Sequence, residues 1–323
     1  MTAGEPAVAK SPSLSTLKST EEHPPDQRDA LVGAGLVLTS GLGFGAVPVL
    51  ARVAFDGGSN APTSLLVRFT VAAALLWGLL ALRGQLRPLP ARRIAGFVLM
   101  GLFLSGSATS SFIAIQRIPA ALAALLFYIY PALIAMASAV LYGTRYSLSR
   151  LLVLAASLAG CALTVDVQVG SLNVLGVALA IGSAFFYTGY VLVASRATRG
   201  VPALNASAWV ITAAAPLMLL AGLTGLVGDH LTLHVSGVGW LAMLGLALFS
   251  TVLSISTFLA GIARVDVFRA AILSTFEPVV SVALAALLLH ERLTARQALG
   301  GAVIVGAGIA LQLIARREAP GGR

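Results

Sequence analysis

The residues able to do chemistry in this sequence are few, and they sit in apolar company. Glu277 and Pro278 lie together in "STFEPVV" (274–280), inside a run from Val267 to Leu289 that is otherwise almost wholly apolar. An ionised carboxylate at the centre of a membrane helix costs about 2.5–3.5 kcal/mol on insertion scales. Glu277 must therefore face a cavity, meet a partner or carry a proton. Three roles follow: coupling to protons, holding a substrate ammonium, or a purely structural hydrogen bond to Ser or Thr of a neighbouring helix. The residues leave all three open. Pro278 has no N–H, so it frees the carbonyl of Ser274 and bends its helix, and Pro131 in "FYIYPAL" does the same for Phe127. Freed carbonyls beside a cavity can accept hydrogen bonds from solute or water; the kinks serve equally well for packing alone.

Other polar residues are read against their plainer alternatives. Arg68, in "LLVRFTVAAALL", either snorkels to the membrane surface or turns inward toward an acid or a substrate carboxylate. Ser107, Thr109, Ser110, Ser254, Ser256 and Thr257 either line a cavity or let helices approach closely. Phe185, Phe186, Tyr187 and Tyr190 cannot share one helix face, and Tyr187 is the first expected to look inward. Gly41, Gly43 and Gly45 lack the lysine of a phosphate loop and fit close helix approach instead. His230 and His234, next to Gly228 and Asp229, have no further ligand cluster around them, so no metal site is expected. Cys161 is the single cysteine; it allows no internal disulfide and no thiolate metal site, and reads as a small buried hydrophobe. There is no catalytic set and no GxxxxGK[ST] loop, so neither catalytic residues nor a cofactor are expected.

The elements that must position these residues follow from composition. The chain of 323 residues is 58% hydrophobic and only 10% charged, whereas a soluble domain carries about 25% charged residues. So little charge cannot cover a water-facing surface of this size, and the first partner is the lipid bilayer. The net charge of +9 does not indicate nucleic acid, because the basic residues stand singly between apolar runs. Arginine supplies 19 of the 21 basic residues, and with the Ala and Gly excess this suggests a GC-rich, bacterial genome. Residues 1–30 are polar and proline-rich, too poor in apolar surface to fold alone and without a signal-peptide pattern.

Helices of about 20 apolar residues span a bilayer, and ten can be drawn: 31–51, 63–82, 94–115, 119–142, 149–166, 172–194, 203–227, 237–262, 267–289 and 295–315. An even number puts both termini on one side. On that side lie 16 of the 21 Lys and Arg, and only Arg52, Arg117, Arg292 and Arg296 lie on the other, with Arg68 inside a span. The positive-inside rule makes both termini cytoplasmic. In "HERLTARQ" (290–297), Thr294 and Gln297 form a capping box that starts the tenth helix, leaving Glu291 and Arg292 as solvated loop charges.

Shifted by 147 positions, the sequence partly repeats. Ser107 falls on Ser254, Arg117 on Arg264, Pro131 on Pro278 and Arg145 on Arg292, while Tyr130 falls on Glu277. Five spans per half reverse the second copy in the membrane, giving an inverted repeat with a substrate site near the midplane. An acid from one half opposite a phenol from the other would suit a zwitterion.

The segment "AAILSTFEPVVSVALAALLLHERLTARQALGGAVIVGAGIAL" (270–311) resembles the end of an EamA repeat of the drug/metabolite transporter superfamily, through Glu277-Pro278, Glu291, Gln297, Gly300, Gly306 and Gly308. Arg68 fits the family's second span. The first copy, "AALAALLFYIYPALIAMASAVLYGTRYSLSR" (120–150), keeps Pro131 but has Thr144 where the second has Glu291. The resemblance covers about 31–315. It implies an all-α integral membrane fold of ten helices as two inverted five-helix repeats, 31–168 and 169–315, between cytoplasmic tails 1–30 and 316–323. It also implies a secondary transporter of a small organic metabolite in a bacterial cytoplasmic membrane, with an amino-acid-like solute and export favoured. Protons, exchange and a homodimer stay open. The alternatives are a channel or non-transporting membrane partner and, further off, a membrane enzyme. The expected substrate-binding or coupling residues are Glu277, Tyr130, Arg68, Tyr187, Ser107 and Ser254, with Pro131 and Pro278 as kinks.

Overall fold

Backbone polar groups in lipid must be satisfied within the chain, which long apolar runs achieve as helices. The computed structural model describes residues 27–86, 88–118, 120–164, 173–225, 230–288 and 293–318, and every regular element among them is helical. Nine helices among the described residues are long and apolar enough to cross a membrane: Arg28–Asp56, Ala61–Leu82, Ala91–Arg117, Leu122–Tyr142, Val174–Ala197, Ala203–Thr224, Gly237–Ile262, Val267–Leu288 and Ala295–Ala315. A shorter apolar helix, Leu148–Thr164, stands fifth in chain order. We number these ten elements as the first to tenth spans. Their ends fall within a few residues of the sequence expectation. The first span runs longest beyond expectation: it continues to Asp56 rather than 51, and its helix Gln27–Gly45 takes in residues 27–30, expected in the polar tail; residues 1–26 lie outside the described part. So do 319–323 of the expected C-terminal tail, while the last helix runs on to Glu318.

Helix starts follow local chemistry. The side chains of Asn60, Asn173, Ser236 and Asp266 each accept the backbone N–H three residues on, satisfying a donor that has no partner within the helix. At the tenth span Thr294 and Gln297 cap each other's backbone N–H, at 3.0 and 3.2 Å, as their spacing predicts.

Three spans are interrupted and a fourth is widened. The first breaks at Ala46, between Gln27–Gly45 and Val47–Asp56. The fourth divides into Ala120–Phe127 and Tyr130–Tyr142, and the ninth into Val267–Ser274 and Glu277–Leu288. The eighth stays continuous but widens into a π-helical segment, Leu248–Leu253. Its hydroxyls reach back five residues: Thr251 Oγ1 donates to Leu246 O at 2.9 Å and Ser254 Oγ to Phe249 O at 2.8 Å.

Packing joins the two halves of the chain. The second span lies on the seventh, the fourth on the ninth and the fifth on the tenth, while the first packs on the eighth and the third on the sixth. In lipid such contacts depend on small residues that let backbones come close. Gly160 and Gly300 meet where the fifth and tenth spans cross: a Cβ on either would lie within 3.0 Å of the other's carbonyl oxygen. Gly33 and Gly261 meet similarly between the first and eighth, at 3.3 and 3.0 Å.

Candidate functional site

Pro131 and Pro278 each stand second in the half-helix that follows a break. Neither can donate to the carbonyl four residues back. The chain crosses each gap by tightening to bonds three residues apart: Ile129 N–H to Leu126 O in the fourth span, Thr275 N–H to Ile272 O and Phe276 N–H to Leu273 O in the ninth. The two kinks are therefore full interruptions of the helix, a larger effect than the bend expected from the prolines.

Glu277 opens the second half of the ninth span and is 7% exposed. Gly41 of the first span faces it, so that a Cβ there would lie 3.7 Å from Glu277 Cγ. Among the described residues the carboxylate has neither an ion-pair nor a hydrogen-bond partner. The expected alternative, a hydrogen bond to Ser or Thr of the eighth span, is not formed. The titratable groups within electrostatic range are Tyr128, Tyr130, Tyr187 and Cys161.

Tyr130, expected opposite Glu277 from the duplication, lies within electrostatic range of it and is 1% exposed. Its hydroxyl approaches Ser274 Oγ of the ninth span without reaching hydrogen-bond geometry, and both oxygens are buried with no bond. Around Tyr130 the rings form a continuous cluster. Tyr187 packs edge-on at 4.8 Å, Phe127 lies 5.1 Å away, and Tyr187 leads on to Tyr190 at 5.6 Å and Phe258 at 6.4 Å. The Tyr190 hydroxyl is likewise buried and unbonded. Residues from the fourth, sixth, eighth and ninth spans thus converge on one acidic and aromatic site. Tyr187 and Tyr190 turn inward while Phe185 and Phe186 are exposed to the surroundings, which is the division that helical geometry demands.

Arg68 does not belong to this cluster. It is buried, so it does not snorkel, and no acid meets it. Its Nε donates to Thr251 Oγ1 at 2.6 Å and its Nη2 to Ser250 O at 2.8 Å, both in the π-helical segment. That segment packs on Gly43, whose carbonyl accepts Ser250 Oγ at 2.7 Å. Gly41 and Gly43 point about 200° apart on a helix. Glu277 and the segment holding Arg68 therefore lie against different faces of the first span. Of the three glycines of "GLGFG", Gly43 and Gly45 serve close approach, as expected: a Cβ on Gly45 would lie 2.8 Å from Glu277 O, whereas one on Gly41 would be in ordinary contact.

Ser107 and Ser254 are held in internal bonds. Ser107 Oγ donates to Ser183 O of the sixth span at 3.0 Å, one turn from Tyr187. Ser254 Oγ bonds within the π-helical segment, one turn from Phe258. Cys161 is free and buried. His230 contributes its carbonyl to Asn60 Nδ2 at 2.7 Å; Gly228, Asp229, Glu291 and Arg292 lie outside the described residues. Tyr128, Phe258 and the Ser274 hydroxyl are site residues that sequence reasoning missed. Tyr128 and Ser274 flank the proline breaks, which is a usable signal, whereas nothing in the sequence singles out Phe258.

Interrupted helices around a buried polar centre, in an all-α chain that spans the membrane many times, define a class of membrane proteins that handle small solutes. The sequence profile of the EamA-like transporter family matches residues 31–166 and 174–313, most of the chain, and the protein belongs to that family. It is 30% identical over 195 residues to the uncharacterized transporter sll1319 of Synechocystis sp. (strain ATCC 27184 / PCC 6803 / Kazusa), covering 58% of this chain and 57% of that one. The match therefore spans little more than half of that relative. It is also 23% identical over 285 residues to the uncharacterized transporter YcbK of Bacillus subtilis (strain 168), covering 84% and 90% of the two chains. A solved crystal structure superposes with a TM-score of 0.75 at 23% identity, over 89% of this chain and 99% of that one, which establishes a shared fold.

Proposed function

We propose that this chain is a secondary transporter that moves a small organic metabolite by alternating access, with Glu277 as the group that binds substrate or a coupled proton. One observation carries the reading: a carboxylate buried in the middle of a membrane span has no hydrogen-bond or ion-pair partner among the described residues. Leaving a charge so placed costs stability, and such groups mark ion and substrate pathways. The breaks on either side of it, in two spans that hold equivalent places in the repeat, supply chain that can bend as the site changes the side to which it opens. An amino-acid-like solute fits, since its ammonium has a carboxylate to meet, and export is the favoured direction.

The same reading makes residues 31–168 and 169–315 two five-span repeats of opposite orientation. The pairing of second with seventh, fourth with ninth and fifth with tenth spans, with first-on-eighth mirrored by third-on-sixth, is what a pseudo-twofold axis in the membrane plane requires. Charge asymmetry of the loops supports both termini on the cytoplasmic side of a bacterial inner membrane.

The test is flux in proteoliposomes containing the full chain. Saturable uptake with counterflow is expected. Flux that rises linearly with concentration, without counterflow, would make the protein a channel and overturn the reading.

A further inference from the structure

We propose that the aromatic and acidic site takes the cationic head of an amine and discriminates against ligands bearing a free carboxylate. This rests on the transporter reading above and narrows its substrate class from amino-acid-like solutes to organic amines, including amino acids whose carboxyl is masked as ester or amide.

The attraction for a cation has two sources. Glu277 supplies a buried carboxyl with no counter-ion among the described residues, whose ionised form a bound ammonium would pair with. Phe127, Tyr130, Tyr187 and Tyr190, linked by centroid separations of 4.8–5.6 Å, supply the ring faces that stabilise ammonium groups by cation–π attraction. The buried, unbonded hydroxyls of Tyr130, Tyr190 and Ser274 add neutral donors and acceptors for an amine N–H or a masked carbonyl.

Nothing comparable awaits a carboxylate. Arg68 and Glu277 are the buried charged side chains among the described residues. Arg68 lies toward a different face of the first span, with Nε and Nη2 committed to Thr251 and Ser250. At the starts of the two second half-helices, which elsewhere attract anions, the third and fourth N–H groups are already used. Ala132 and Leu133 donate to Ile129 O, and Val279 and Val280 donate to Phe276 O. The proline in each first turn has no N–H to give. A carboxylate entering here would face the like charge of Glu277 and lose its hydration unpaired, both unfavourable.

The test is calorimetric titration of the purified full-length protein in detergent with three probes on one scaffold at neutral pH. These are 2-phenylethylamine (cation), L-phenylalanine (zwitterion) and 3-phenylpropanoate (anion). The amine should bind, the zwitterion about tenfold more weakly or worse, and the anion not at all. Glu277→Gln should lose about tenfold or more of the amine affinity with an unchanged unfolding temperature. Should that variant not fold, Tyr187→Phe, which keeps the ring, should retain amine binding, and Tyr187→Leu should weaken it. Equal or tighter binding of L-phenylalanine, no binding of any probe, or indifference of a folded Glu277→Gln protein would each overturn the proposal. Amine binding without flux in proteoliposomes would remove the transport reading and leave this one standing. Saturable transport of the zwitterion in preference to the amine would do the reverse.

Discussion

Tyr130 and Glu277 hold the same place in two broken spans: each is the first residue of the half-helix after the break, and each is followed by proline. The fourth and ninth spans pack on one another, and the phenol lies within electrostatic range of the acid. The acid is the unmatched member of the pair, and the proposed function rests on it.

Glu277→Gln keeps the shape of the side chain and removes its charge. Because the carboxylate has no partner among the described residues to leave stranded, the variant should fold with undiminished thermal stability in detergent. Its flux should fall by about tenfold or more, the size of effect expected when one member of a buried charge pair is lost, here the pair with substrate or proton. The dependence of flux on a pH gradient should flatten with it. Unchanged rate and pH dependence in proteoliposomes would leave Glu277 without a role in either binding or coupling.

Pro278→Ala and Pro131→Ala should act alike, since the two prolines interrupt equivalent spans. Each variant regains an N–H able to bond the carbonyl of Ser274 or Phe127, which favours a continuous helix. Stability in thermal unfolding should hold or rise, while turnover and KM change together, as is usual when a hinge is stiffened. A fall in stability with unchanged turnover would make the breaks packing features alone.

Much of this architecture was legible beforehand, and the exceptions have physical reasons. Hydropathy located every span because lipid allows few alternatives, and Thr294 with Gln297 marked a helix start because capping is local chemistry. The matching places of Tyr130 and Glu277 after the two breaks were legible through the duplication, which carries three-dimensional information along one chain. Arg68 was not: its partners, Thr251 and the Ser250 carbonyl, lie 183 and 182 positions away. The π-helical segment that exposes that carbonyl has no composition of its own; "LFSTVL" reads as ordinary apolar helix. Phe258 enters the site through the register of the eighth span, which depends on that same widening.

Arg68 grips the π-helical segment at two points, and Lys cannot reproduce a planar fork. Arg68→Lys should therefore cost about 1–3 kcal/mol of stability despite keeping the charge. A double-mutant cycle with Thr251→Val should show the two residues to be coupled, as expected of direct partners. Additive effects in detergent unfolding would mean that the bond contributes nothing of its own.

Close approach of the first span predicts a graded glycine series. A Cβ at Gly45 would meet Val280 Cβ at 2.6 Å and Glu277 O at 2.8 Å, whereas at Gly35 it meets nothing within 4 Å. Gly45→Ala should destabilise by about 1–3 kcal/mol, the usual cost of overpacking, and should also impair transport by shifting Glu277. Gly35→Ala should be neutral or slightly stabilising through its better helix propensity. Comparable unfolding temperatures for the two variants would show that the first span has room to move away from the ninth.

The orientation of the whole chain can be tested with its own cysteine as a control. Cys161 is 1% exposed and should resist a membrane-impermeant maleimide in intact cells. Gln85, between the second and third spans, and Leu233, between the seventh and eighth, are both exposed and accept cysteine without loss of a recorded contact. With both termini cytoplasmic, Leu233→Cys faces outward and should label in intact cells, while Gln85→Cys should label only after the membrane is opened. The reverse pattern would invert the topology. It would also place the Arg-rich loops outside, against a charge rule that governs short loops like these. Labelling of both positions in intact cells would deny them opposite sides of the membrane and so contradict the count of five crossings between them.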